Sequence, residues 1–220
     1  MENNRFKRES EESIKEQFEN CELIERAKAI RALIAEKITR NSFSREEVKE
    51  KYYQLGKARN NCDGKEVTFY HGVFGKMYRE GGLFAQVAPV LDKLFESSLL
   101  AYSETDDRTG TARADGTVHK ERRNVTSYDN YVAKAAIDEK EYYVRFTVMN
   151  ESDGKQGLHS SMVTNVVLYD ETANVASAST TTGGRLDIDG IVDAKLKHFF
   201  ESASSEEKKI RYSSNLSQKS

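Results

Sequence analysis

Residues 128–169 constrain the fold more than any other part of the chain. Apolar and polar residues alternate through YVAKAAI, break at Asp138-Glu139, and resume through KEYYVRFTV. Alternation on both sides of a two-residue break is the pattern of a half-buried antiparallel hairpin, because successive side chains of a strand point to opposite faces. With a two-residue turn, 137 pairs with 140, so residue 145 lies opposite 132 and residue 143 opposite 134. Tyr131, Ala133, Ala135, Tyr142, Val144, Phe146 and Val148 then share the face read as core. The other face carries Lys134, Tyr143, Arg145 and Thr147 and is expected to meet water. A third strand is read over 158–169, where Met162, Val166 and Leu168 share a face.

The flanks read as helical. Leu23, Ile24, Ala27, Ile30, Ile34 and Ile38 recur at three- and four-residue spacings and predict one apolar stripe on a charged helix. Ser44 and Glu47 form a capping box, after which Val48, Tyr52 and Leu55 continue a second helix as far as Gly56 and the Asn60-Asn61 pair. Val67 and Phe69 mark a short strand, and HGVFGKMYREGG a connector with room for a helical turn. Phe84 to Leu99 trace another helical face, but Pro89 sits inside it. Proline is tolerated only in a first helical turn, so the core helix is expected over 89–100. Residues 103–124 have almost no apolar content and read as a mobile loop. The layout expected is a helical hairpin over 1–60, an α+β domain over 61–170, a linker and C-terminal helix over 171–203, and a disordered tail over 204–220. The fold class read from this order is α+β, an antiparallel sheet of about four strands packed on a core helix.

Charge and composition exclude more than they assign. Lys and Arg number 34 against 36 Asp and Glu, so bulk charge calls for neither a polyanion nor an acidic membrane surface. No run of 18 apolar residues occurs, and the N-terminus has no apolar signal region; the expectation is a soluble, cytoplasmic protein without membrane contact. Cys21 and Cys62 are read as free thiols. Four scattered His and two isolated Cys give no zinc spacing, and neither a phosphate-cradling glycine loop nor a G-x-S-x-G elbow is present, so no cofactor or metal is expected.

Four segments, KEVTFYHGVFGK, PVLDKLFESSLLAYSE, YDNYVAKAAIDEKEYYVRFTVMNE and LHSSMVTNVVLYD, occur in this order with a long polar excursion after the second. Together they resemble the third type of large polyvalent-protein-associated domain, found in giant proteins of phages and conjugative elements and related distantly to small ribonucleases of the barnase/RelE group. The resemblance covers roughly residues 65–170. It implies RNA-directed, metal-independent chemistry. Such a reaction needs a base for the 2′-hydroxyl, an acid for the leaving oxygen, and fixed cations against the developing charge. His71, His159, Lys134 and Arg145, with Tyr143 for stacking or proton transfer, are the residue types required, and Lys120, Arg122 and Arg123 beside His119 are suited to RNA phosphates. The ordinary alternative for each is a solvated surface residue. Two function classes stay open: a ribonuclease-like accessory protein whose partner is RNA, and a non-catalytic module that binds a host protein and inhibits a defence system. Oligomeric state is not legible.

Overall fold

The computed structural model describes residues 19–80, 83–105, 125–152, 159–170 and 193–217. The chain divides into two compact units, one of residues 1–32 with 194–220 and the other of residues 33–193. The second unit holds the sheet, whose frame is the hairpin read from the sequence. Strand β5 (Val125–Ile137) and strand β6 (Lys140–Ser152) pair antiparallel, with Ile137 against Lys140, Val132 against Arg145 and Lys134 against Tyr143. Asp138 and Glu139 both take positive φ, 49° and 67°, the type I′ turn whose twist matches that of the strands it joins.

Around this ribbon the sheet grows to seven strands among the described residues. Strand β7 (His159–Tyr169) runs antiparallel to β6; β3 (Glu66–Phe69) adds parallel to β7, and β2 (Lys57–Arg59) antiparallel to β3. On the far edge of β5, β4 (Leu99–Glu104) pairs antiparallel with one half and β1 (Glu36–Ile38) parallel with the other. The sheet is therefore mixed, and the expectation of a purely antiparallel sheet of about four strands is corrected. Three of the added strands have only three or four residues, too few to show alternation, and two of the pairings are parallel joins between distant segments.

Two helical readings change for the same kind of reason. Helix α1 (19–31) stops before Ile34, which is 94 % exposed, while Ile38 belongs to β1 and packs against the core. Pairing of Glu36–Ile38 with β5 outweighs the helical spacing of Ile38, and Ile34 falls in the link that leads to this strand. Similarly the helix expected over 89–100 becomes a 3₁₀ turn (Ala88–Val90) containing Pro89, then α5 (Leu91–Glu96), and Leu99 and Leu100 already belong to β4. Helix α2 (Arg45–Gln54) starts as read: Ser44 Oγ accepts from the Glu47 N–H, and the Glu47 carboxylate accepts from the Ser44 N–H at 2.7 Å. The connector after β3 holds a 3₁₀ turn (His71–Val73) and α3 (Phe74–Glu80), followed by α4 (Phe84–Val87).

These helices bury one face of the sheet. Tyr131, Ala133, Ala135, Tyr142, Val144, Phe146 and Val148, the core face read from alternation, join Phe69, Phe74, Phe84, Leu91, Leu94 and Phe95 in a single apolar cluster. Full burial of such a side chain contributes about 1.5–3 kcal/mol, so this layer supplies most of the unit's cohesion. A buried asparagine ties the loop after β2 to it. Asn60 Nδ2 donates to the carbonyls of Phe95 and Ser98 at 3.0 and 2.8 Å, and its Oδ1 accepts the N–H groups of Cys62 and Asp63.

The other unit is described as a helix pair. In α1, Ile24, Ala27 and Ile30 are buried; in α6 (Ala194–Ser217), Leu196, Phe199, Phe200 and Ala203 are buried. Asn20 bonds Glu206, while Arg31 at the other end of α1 covers the Phe200 ring at 4.8 Å, so the two helices run antiparallel. Helix α6 continues through most of the stretch read as tail. Residues 106–124, and Ile188, Ile191 and Val192 of the apolar face read before α6, lie outside the described residues. Among the described residues no helix is long and apolar enough to cross a membrane, and both cysteines are free thiols.

Candidate functional site

The hairpin register brings Lys134, Tyr143 and Arg145 together on the face opposite the apolar cluster. That face does not meet water as expected: Tyr143 is buried, and Arg145 is only 7 % exposed. The alternation assigned these residues to a face without revealing what lies over it. Lys134 is mostly buried, with Nζ 5.3 Å from the Tyr143 ring centre and 3.8 Å from Glu141; Tyr143 also stacks with Tyr169.

Arg145 is the centre of this arrangement. Its Nε donates to the Asp193 carboxylate, and its Nη1 donates to Asn130 Oδ1 at 2.8 Å and to Thr147 Oγ1 at 2.7 Å. Lateral pairing explains why those acceptors are present: Tyr102, Asn130, Thr147 and Asn165 form one polar row across β4, β5, β6 and β7. Asn130 is fully buried, and its Nδ2 has no hydrogen-bond partner; Asn165 Oδ1 is likewise buried and unpartnered. Burial pushes the Tyr102 hydroxyl up to about 12, with the Arg145 charge opposing and the Asp193 charge reinforcing that rise. A guanidinium that stays charged, held beneath a neutral polar row, is equipped to recognise an anion. This face, however, carries no histidine among the described residues.

His71 lies on the helix-covered side of the sheet. It follows β3, sits exposed at the start of the 3₁₀ turn, and stacks on Tyr53 of α2 with ring centres 4.3 Å apart and planes 6° off parallel. Lys49 Nζ lies 5.4 Å from the Tyr53 ring centre. The ring of the neighbouring Tyr70 occupies the space where a Cβ on Gly72 would stand, 2.8 Å from Cζ. Tyr53 and Tyr70 are 41 % and 47 % exposed, among the largest exposed rings of the described chain. Beneath them the buried Tyr52 hydroxyl donates to the Tyr70 carbonyl, which fixes where β3 ends.

His159 starts β7. Since Phe69 pairs with Val163 in parallel register, His71 and His159 stand near opposite ends of the β3–β7 pair, about 20 Å apart along the strands. The five residues read as catalytic therefore fall into three places: Lys134, Tyr143 and Arg145 together, His71 across the sheet, and His159 at a distant strand end. Lys120, Arg122 and Arg123 lie outside the described residues, and His198 is exposed on α6.

Sequence reasoning missed Asn130, Asp193 and Tyr53 as partners of the named residues. Asn130 was within reach, since the hairpin register sets it opposite Thr147, diagonal to Arg145. Asp193 was not, being 48 residues from Arg145. Tyr53 follows the core-facing Tyr52 and breaks the apolar stripe of α2 outward, a signal visible in the helical spacing. Among the described residues no three His, Cys, Asp or Glu side chains gather to hold a metal ion.

The chain matches no curated protein and no solved structure at a significant level. The family of the large polyvalent protein-associated domain 3 does match, over residues 39–159, from just after β1 to the first residue of β7. That span is more than half of the chain and contains the hairpin, α2 to α5, the aromatic patch and Arg145 with its row as far as Thr147. On this match the chain belongs to the large polyvalent protein-associated domain 3 family.

Proposed function

We propose that the chain is a non-catalytic protein-binding module carried by mobile genetic elements, and that it contacts its partner through Tyr53, Tyr70 and His71. The observation that carries this reading is the stack of the exposed Tyr53 and His71 rings, with Tyr70 exposed next to His71 in the chain, while the other large aromatic residues among those described mostly lie in the core. Tyrosines of this kind supply broad contact area with little loss of side-chain freedom, and they concentrate binding energy at protein interfaces. Inhibition of a host defence protein is the use such a module has in a phage or conjugative element.

The ribonuclease reading draws less support. Acid, base and cation must converge within about 3 Å of one reacting group, whereas His71 and Arg145 stand on opposite sides of the sheet.

Two assays decide between them. Affinity capture from a native host compares wild type with Tyr53→Ala and with Gly72→Ala, whose Cβ would stand 2.8 Å from Tyr70 Cζ and so forces that ring to move. A protein held by wild type and lost by both variants supports the module; retention by both variants sinks the proposed surface. In parallel, total RNA is incubated with wild type, His71→Ala and Arg145→Ala in EDTA. Cleavage by wild type that disappears in both variants overturns the non-catalytic reading.

A further inference from the structure

We infer that the Arg145 row is a binding site for a phosphoryl oxyanion, kept filled by the chain's own Asp193. The face that holds Arg145 supplies it with neutral acceptors only, from Asn130 and Thr147. A guanidinium buried to this degree requires a counter-anion, and the partner comes from outside the sheet, from the residue just before α6. The strands thus build a cationic position, and a separate segment fills it.

The donors around that position exceed what Asp193 engages. Arg145 Nη2 donates to none of the described residues, and Asn130 Nδ2, on a fully buried side chain, has no partner. Asn130 is held in place because its Oδ1 accepts from both Arg145 Nη1 and Thr147 Oγ1, so the unpaired Nδ2 is the end left over. Native interiors rarely leave an amide donor unpaired, and where they do a ligand or ion is one of few explanations. Flat guanidinium and amide donors presented together select an oxyanion, and one with several acceptor oxygens uses more of them than a carboxylate that meets the guanidinium at Nε. The site is occupied in cis, so Asp193 competes with any ligand for Arg145. This is independent of the protein-binding reading, since the aromatic patch lies across the sheet.

Inorganic phosphate is titrated at constant ionic strength into the full chain by calorimetry, for wild type, Asp193→Asn and the Asp193→Asn/Arg145→Gln double variant, and the Arg145 Nε–Hε resonance is followed in the two proteins that keep it. The expected result is weak binding by wild type, at least about tenfold tighter binding by Asp193→Asn, and none by the double variant. An Asp193→Asn protein that is folded and binds phosphate no tighter than wild type overturns the inference. Where Asp193→Asn does not fold, the wild-type resonance decides: movement that saturates with phosphate, and not with equal chloride, upholds the site, and a stationary resonance removes it. A short oligoribonucleotide as a second arm separates free phosphate from a phosphodiester as the source. If that oligonucleotide binds and is cleaved, the non-catalytic reading fails while the oxyanion site stands.

Discussion

Asn60 does at one position what many weaker contacts do elsewhere: its amide donates to the carbonyls of Phe95 and Ser98 and to Ser98 Oγ, while its oxygen accepts from Cys62 and Asp63. Asn60→Ala leaves several buried groups without partners, at about 1–3 kcal/mol for each group left unpaired, and is expected to cost about 2–4 kcal/mol in total. Urea unfolding reads this as a lower midpoint at unchanged slope; a loss within the range of a surface substitution contradicts it. Glu47 acts through charge. Hydrogen bonds from the Ser44 N–H and hydroxyl hold its carboxyl below its ordinary value of 4.5. A depressed folded-state value means that the contribution is present above the unfolded value and lost as pH falls through the folded one. Stability compared from about pH 7 to about pH 3 is therefore expected to fall further in wild type than in Glu47→Gln, which keeps the cap geometry but does not titrate. Legibility differs between these residues for a physical reason. The capping box is a pattern within four residues, so its sequence announces it, whereas the carbonyls that Asn60 serves lie more than thirty residues away and leave no local mark. Arg145 stands between the two, because alternation assigned its face while its partner Asp193 came from beyond the hairpin.

At the scale of elements, the hairpin was legible because its turn admits few solutions. Two residues between alternating strands require a primed turn, and that turn fixes the pairs from Ile137 with Lys140 as far as Ser127 with Asn150, beyond which the register shifts. The structure reached this turn with residues that suit it imperfectly: Asp138 tolerates positive φ, but Glu139 carries a long side chain at φ 67°. Glu139→Gly relieves that position and keeps both Asp138 and its 3.1 Å pairing with Arg40. Gly also gains freedom in the unfolded chain, which offsets part of the benefit, so the net expectation is about 0.5–1 kcal/mol of added stability. A raised thermal midpoint checks it, and an unchanged or lowered one shows that Glu139 is not strained. The short strands β1 and β2 were illegible for the complementary reason. KAR and EKI are charged three-residue segments, and what makes them strands is the free edge they meet.

Across the whole sheet, pairings close at very different sequence distances. The joins β5–β6 and β6–β7 link consecutive strands, whereas β1 with β5 and β3 with β7 pair Glu36 with Ala135 and Thr68 with Met162, enclosing roughly a hundred residues each. This is also why the sequence yielded the antiparallel ribbon and not the mixed sheet: local alternation predicts neighbours along the chain, and parallel joins between distant segments carry no such signal. The same asymmetry orders folding. Loop-closure entropy has to be overcome before a distant pair contributes anything, so the ribbon is expected to form in the transition state and β3 to dock after it. Val144 and Val67 separate the two stages, as both are fully buried in the same apolar cluster, one in β6 and one in β3. Val144→Ala and Val67→Ala are each expected to cost about 1–3 kcal/mol by the cavity they leave. In stopped-flow kinetics the Val144→Ala loss should fall mainly on the folding rate and the Val67→Ala loss mainly on the unfolding rate. Equal partition in both variants points to a diffuse nucleus, and the reverse partition means that the parallel join forms first, against the loop-closure argument.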